Sequence, residues 1–92
     1  MKAIKRSSII ESRRQKVSSE VRKRVDLSFM IVDRIHAILK EKGLRQKDLA
    51  EILGKKESEI SKWMRGTHNF TIDTISAIET ALGAPILQVV NI

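Results

Sequence analysis

Leu49, Ala50, Gly54, Ile60 and Trp63 stand at a spacing that few folds accommodate. Two short helices joined by a tight turn cross at a steep angle, and only certain side chains allow the crossing. Leu49 and Leu53 place two apolar groups on the inner face of a first helix, about Gln46–Leu53. Ala50 lies where a second helix passes closest, so its side chain must be small. Gly54 takes positive φ without steric cost and turns the chain sharply. Ile60 and Trp63, three apart on a helix over about Glu57–Arg65, close the interior from the other side. Glu57, Ser58, Ser61, Lys62 and Arg65 are then left facing outward. Such a face is rich in groups that reach base edges and phosphates.

The rest of the chain supplies a body for this unit. Ile31, Ile35, Ile38 and Leu39 recur at i, i+4, i+7 and i+8, with Phe29 and Val32 on the flank. This predicts an amphipathic helix of about four turns from Leu27. Lys40, Lys42 and Gly43 give it a basic last turn and a stop. After Thr67-His68-Asn69-Phe70, a loop, Thr71 is the expected N-cap of a helix over Ile72–Leu82. Ile75, Ile78, Ala81 and Leu82 line its inner face, and Gly83 ends it. Pro85 is placed to open a short final helix, Ile86–Val90, although the β-branched residues there also suit a strand. Aromatic residues are only 3% of the chain against 41% hydrophobic residues overall, so the core is aliphatic, which suits packed helices.

Charge divides the chain into two parts. Residues 1–26 hold nine Lys and Arg against Glu11, Glu20 and Asp26, a net +6 of the total +7. Residues 27–92 are nearly neutral. The expected organisation is a basic N-terminal arm over 1–26 and a DNA-binding domain over 27–92. A basic excess of this size implies a polyanionic partner. The arm has no Pro or Gly and is not a flexible linker. Ser8-Ile9-Ile10-Glu11 fits the spacing of a capping box, and Ser18 or Ser19 suits the start of a second turn through Glu20–Val25. Val17, Val21 and Val25 at i, i+4 and i+8 predict a helical segment over about Ser18–Val25, docked on the first helix of the body or on a partner, with residues 1–7 looser.

The segments Gln46-Lys47-Asp48-Leu49-Ala50-Glu51-Ile52-Leu53-Gly54 and Ser58-Glu59-Ile60-Ser61-Lys62-Trp63-Met64-Arg65-Gly66 resemble the helix-turn-helix of the phage-repressor and Cro family, also called the Xre family. The resemblance covers about residues 28–90. It implies an all-α, five-helix repressor-like bundle that binds double-stranded DNA. By resemblance, Gln46 bonds a phosphate. Lys56, Glu57, Ser58 and Lys62 touch bases or neighbouring phosphates, Ser61 assists, and Arg65 clamps the backbone. His68 and Asn69 lie in the loop that follows the DNA backbone in this fold. Arg45 stands where a Ser, Thr or Asn cap is usual, which weakens helix initiation but adds a phosphate contact. Lys55 replaces a common apolar turn residue and leaves the turn more solvated. Glu57 is unusual near phosphate unless it accepts from a cytosine amino group.

Other chemistry finds little support. No Cys is present, so there is no disulfide, thiolate site or thiol chemistry. His36 and His68 have no carboxylates spaced to complete a metal set. Glu57 and Glu59 point to different sides of a helix and have no nucleophile beside them. Trp63 is read as core rather than as a base-stacking residue. The chain is expected to be non-enzymatic, to need no cofactor or metal, and to reside in the cytoplasm. No apolar run is long enough to span a membrane.

Two functions fit. One is a transcriptional repressor that binds a palindromic operator as a homodimer. The other is an antitoxin, which neutralises a toxin by protein–protein contact and represses its own operon. The stretch Gly66–Ile72 with Ile75, Ile78 and Glu79 resembles the HigA-like antitoxin branch, and the arm supplies a segment that a repressor does not need. A protein binding RNA or the nucleoid through charge alone would not need the Ala50–Trp63 spacing.

Overall fold

The computed structural model describes residues 8–90, with residues 8–17 in backbone only. It contains four helices, α1 (Ser8–Lys42), α2 (Gln46–Leu53), α3 (Glu57–Trp63) and α4 (Ile72–Leu82). Among the described residues there is no strand.

The first correction concerns α1. It is one unbroken helix of 35 residues, not a helical arm segment docked on a separate body helix. Between Ser8 and Lys42 there is no Gly or Pro to stop it, and its many Arg, Lys, Glu and Gln residues favour helix. Gly43 is the first residue able to leave in the left-handed conformation, at φ 67°, and the Leu44 N–H then closes on the Leu39 carbonyl at 2.8 Å. A helix of this length is about 52 Å long, and the molecule measures 55 Å along its longest axis. Residues Ser18–Val25 are helical as expected, but as a continuation of the helix that carries the body's core face, so they do not dock on it as a separate element. Val21 is 45% exposed and Val25 is half-buried. The Ser8 capping box, the side chains of Ile9, Ile10 and Val17, and residues 1–7 lie outside the described residues.

Ser28 is the first buried position along the described part of α1. From there the helix lays Ile31, Ile35, Ile38 and Leu39 into a core completed by Leu49, Ala50, Ile60, Trp63, Ile75, Ile78 and Leu82. Ile35, Ile38, Leu49, Ile60 and Ile78 are fully buried. Each such side chain contributes on the order of 1.5–3 kcal/mol by leaving water. Val32, read as a flank residue, is buried as well. The Ser28 hydroxyl donates to the His68 carbonyl at 2.9 Å, which fastens α1 to the loop after α3. Ser28 lies on the stripe of Ile31 and Ile35 at i, i+3 and i+7, but as a polar residue it carries no hydrophobic signal.

α4 begins and ends as its sequence requires. The Thr74 N–H donates to the Thr71 hydroxyl at 3.1 Å, and Gly83 leaves the helix at φ 63°. The second correction follows it. The expected fifth helix over Ile86–Val90 is not formed, and residues 87–90 have no regular structure. A short, β-branched segment nucleates a helix poorly, and tertiary partners take its polar groups. The Glu79 carboxylate accepts the Ile86 and Leu87 N–H groups at 2.7 and 3.0 Å. The Arg34 guanidinium donates to the Pro85 carbonyl at 2.9 Å, a group that the first turn of a helix would otherwise use as an acceptor.

The Leu87 amide first, and the Ile86 amide next, hold the Glu79 carboxyl below its ordinary value of 4.5. A carboxyl lowered in the folded state stabilises above its unfolded pKa, and that contribution is lost as pH falls through the folded one. Attachment of the C-terminal segment should therefore persist at neutral pH and release at pH values below 4.5. In an NMR titration the Ile86 and Leu87 amide shifts should move together with an acidic midpoint, and Glu79→Gln should remove that midpoint. A midpoint at or above 4.5, or one retained in Glu79→Gln, would contradict the assignment.

Candidate nucleic-acid interface

The exposed face of α2 and α3 is built on the turn between them. Leu49 and Ala50 are buried from α2, and Ile60 and Trp63 from α3. Gly54 takes φ 67°, its N–H reaches the Glu51 carbonyl at 3.2 Å, and the Lys55 N–H closes on the Ala50 carbonyl at 2.9 Å. A Cβ at Gly54 would meet nothing within 4 Å. The glycine is therefore required by its backbone angle and not by crowding. Gly54→Val should cost about 1–2 kcal/mol, since a β-branched residue is poorly tolerated at positive φ. A thermal melt at wild-type stability would mean that the turn relaxes by another route.

Arg45 carries no side-chain acceptor, yet α2 starts cleanly. The Asp48 carboxylate accepts the Arg45 backbone N–H at 2.8 Å and lies 3.8 Å from its guanidinium. The acidic half of a capping box thus substitutes for a conventional cap. The weak initiation expected from Arg45 is offset from the third residue of the helix.

Gln46 and Ser61 are brought together. The Ser61 hydroxyl donates to the Gln46 side-chain oxygen at 3.3 Å, linking the start of α2 to the middle of α3. With the oxygen engaged, the Gln46 amide group is left as a donor, the polarity that a phosphate requires. Ser61 itself is half-buried. It sits between the helices rather than on the outward face expected for it.

Lys56, Glu57, Ser58, Lys62, Arg65 and Asn69 are all exposed, as is Arg45. Four of these residues, Arg45, Lys56, Lys62 and Arg65, are cations and Glu57 is a carboxylate, with the Asp48 carboxylate beside Arg45. His68 is placed differently. Its half-buried ring stacks on Trp63 at 5.6 Å between centroids and meets the edge of Phe70 at 4.8 Å. Trp63 lies inward, as read from its spacing, and is 9% exposed.

Lys55 acts where the sequence suggested only a more solvated turn. Its ammonium lies 5.8 Å from the centre of the Trp63 ring and 3.8 Å from the Glu59 carboxylate. A lysine can rest its aliphatic stem on an apolar surface while its charge stays in water. Lys55 thus serves the covering role that an apolar turn residue would have. The Trp63 ring at this distance had no sequence signal beyond the i, i+4 pairing of Lys55 with Glu59.

Among the described residues, no group of three His, Cys, Asp or Glu side chains is placed to hold a metal ion. No helix among them is long and apolar enough to cross a membrane.

The comparisons with known proteins agree with this geometry. No curated protein and no solved structure matches the chain. A helix-turn-helix family model matches residues 35–89, more than half of its length. That range holds all of α2, α3 and α4, the turn at Gly54 and the loop at His68. The chain belongs to the helix-turn-helix family of Cro/C1 type, the Xre-like family of DNA-binding regulators.

Proposed function

We propose that the protein is a sequence-specific transcriptional repressor that binds a two-fold symmetric operator as a homodimer. The observation that carries this reading is the face of α3. Lys62 is exposed on α3 and Arg65 in the turn just after it, and this short helix is held by Gly54, Ala50 and Trp63 in the crossing that a groove-reading helix needs. In this reading Lys56, Glu57, Ser58 and Lys62 read or flank base edges. Arg45, Gln46, Arg65, His68 and Asn69 hold the backbone, and Ser61 orients Gln46. One domain of this size reads few base pairs, so two copies on half-sites about one helical turn apart supply the specificity. Selecting binders from a random duplex library tests it. An inverted repeat should be enriched, and recovery of unrelated sequences with equal affinity would reject it.

A second reading is favoured by α1, which runs about 30 Å beyond Ser28, the first buried residue among those whose side chains are described. A DNA-reading body does not require that extension. Its exposed Val21 and Leu27, beside Arg22, Lys23 and Arg24, fit an antitoxin that holds a toxin through this helix and also represses its operon. Co-expression with a neighbouring toxin frame tests this, with a stable complex expected and its absence counting against the role.

A further inference from the structure

We infer that Ser28 and Phe29 of α1 are positioning residues for DNA binding, which grip the loop after α3 and so set Arg65, and with it Asn69, against the DNA backbone. The inference rests on the DNA-binding reading of α2 and α3, and assigns a part in it to residues of α1 that touch no DNA.

Among the described residues, Ser28 is the one polar residue that is buried, at 6% exposure. It stands on the face of α1 that carries Ile31 and Ile35, where alanine would pack as well and would favour the helix more. A buried hydroxyl costs free energy unless it is hydrogen-bonded. The hydrogen bond that Ser28 makes crosses 40 residues of sequence, to the His68 carbonyl at 2.9 Å. The core does not need that hydroxyl; the loop does.

Phe29 grips the same loop from the next position along α1. Gly66 takes φ 87°, and its backbone lies so close to the Phe29 ring that a Cβ would come 2.7 Å from Cζ. The ring is 45% exposed, so it covers the loop from outside rather than filling the core. One contact is apolar and falls on Gly66. The other is polar and falls on His68, two residues on.

The order of the chain shows what this grip positions. Arg65 immediately precedes Gly66 and Asn69 immediately follows His68, and both are exposed. α3 is seven residues long and ends at Trp63, so Arg65 lies beyond its last turn and depends on the loop for its place. The His68 ring stacks on Trp63 at 5.6 Å and meets the edge of Phe70 at 4.8 Å, which ties the gripped loop back to the end of α3. Binding groups must be held to within about 0.5 Å of their working geometry. A cation fixed before DNA arrives also loses less entropy on contact.

The test uses the full chain and duplex DNA of mixed sequence, because backbone contacts do not need the operator. Ser28→Ala should weaken binding about tenfold, the scale of one charge-assisted hydrogen bond, and reduce the salt slope by up to about one unit. A merely structural role would lower the melting temperature and leave the salt slope of the folded protein unchanged. Trp63 is the only tryptophan and gives a second readout without DNA. In Ser28→Ala its fluorescence should be more readily quenched by acrylamide, as the His68 ring leaves it. Ser28→Thr, which keeps the hydroxyl, should restore the quenching and the binding of wild type. Phe29→Ala should act in the same direction as Ser28→Ala on both readouts. In an Arg65→Ala background, Ser28→Ala should change the salt slope no further, since it acts through that cation. A wild-type slope in Ser28→Ala, failure of Ser28→Thr to restore it, or a further fall in slope in the Arg65→Ala background would overturn the inference. A wild-type chain that binds no duplex would remove the DNA reading and the inference with it. Equal binding by wild type and Ser28→Ala would remove the inference alone.

Discussion

Replacing Gly66 by alanine should cost about 3 kcal/mol of stability and lower the melting temperature by roughly 12–24 °C. Gly66 is buried in the turn after α3 at φ 87°. Two penalties meet there. A side chain at that backbone angle is strained by itself, at about 1–2 kcal/mol. A Cβ would also fall onto the Phe29 ring, 2.7 Å from its Cζ and nearer still to its Cδ1 and Cε1. Phe29 lies on α1 and is 45% exposed, so the ring can swing outward, at the expense of its contact with the loop. A double-mutant cycle separates the two penalties. In a Phe29→Ala background the cost of Gly66→Ala should fall to the backbone strain alone. An equal cost in both backgrounds would show that the ring is not what excludes the methyl group. The same loop holds His68 against Trp63 and Phe70, so the damage should spread to the end of α3.

Lys62→Ala and Arg65→Ala should both weaken DNA binding, but in different ways. In the proposed repressor Lys62 meets a base edge, so its loss should cost on the order of 1–3 kcal/mol on the preferred operator and relax selectivity at one position. Arg65, at the end of the face, meets the backbone. Its loss should weaken all duplexes about equally and reduce the salt slope by about one unit. Both side chains are exposed, so neither substitution should disturb the fold. Gel-shift titrations on matched and scrambled duplexes at several salt concentrations distinguish the roles. Equal losses on both duplexes for Lys62→Ala would remove it from base reading, and an unchanged salt slope for Arg65→Ala would remove it from the backbone.

The helix-turn-helix was legible because its constraints are local. Ala50, Gly54, Ile60 and Trp63 lie within one stretch of 14 residues, and each is explained by a rule of helix crossing, backbone angle or burial. The caps at Thr71, Gly43 and Gly83 were legible for the same reason. The outward residues were legible as a face, but their engagement was not. Ser61 turned inward to Gln46, His68 entered an aromatic cluster, and Lys55 covered Trp63. Each of these depends on where a side chain finds a partner outside its own helical period.

The helices over residues 46–53 and 72–82, an aliphatic core with Trp63 inside it, the crossing of α2 and α3, and the concentration of positive charge in residues 1–26 can all be read from the residues alone. Periodicity, glycine angles and charge are written residue by residue and need no knowledge of distant neighbours. The course of α1 before Leu27 and of the chain after Gly83 depended on packing. The absence of any stop before Gly43 permitted one long α1, but the arm's valines were equally compatible with a separate docked helix, and only the continuous backbone chose between them. At the other end, Pro85 and the residues after it suited a helix or a strand. Glu79 and Arg34, brought alongside by the packing of α4 and α1, took the polar groups of Pro85, Ile86 and Leu87. A short segment whose own preference is slight adopts the conformation in which its neighbours satisfy its hydrogen bonds.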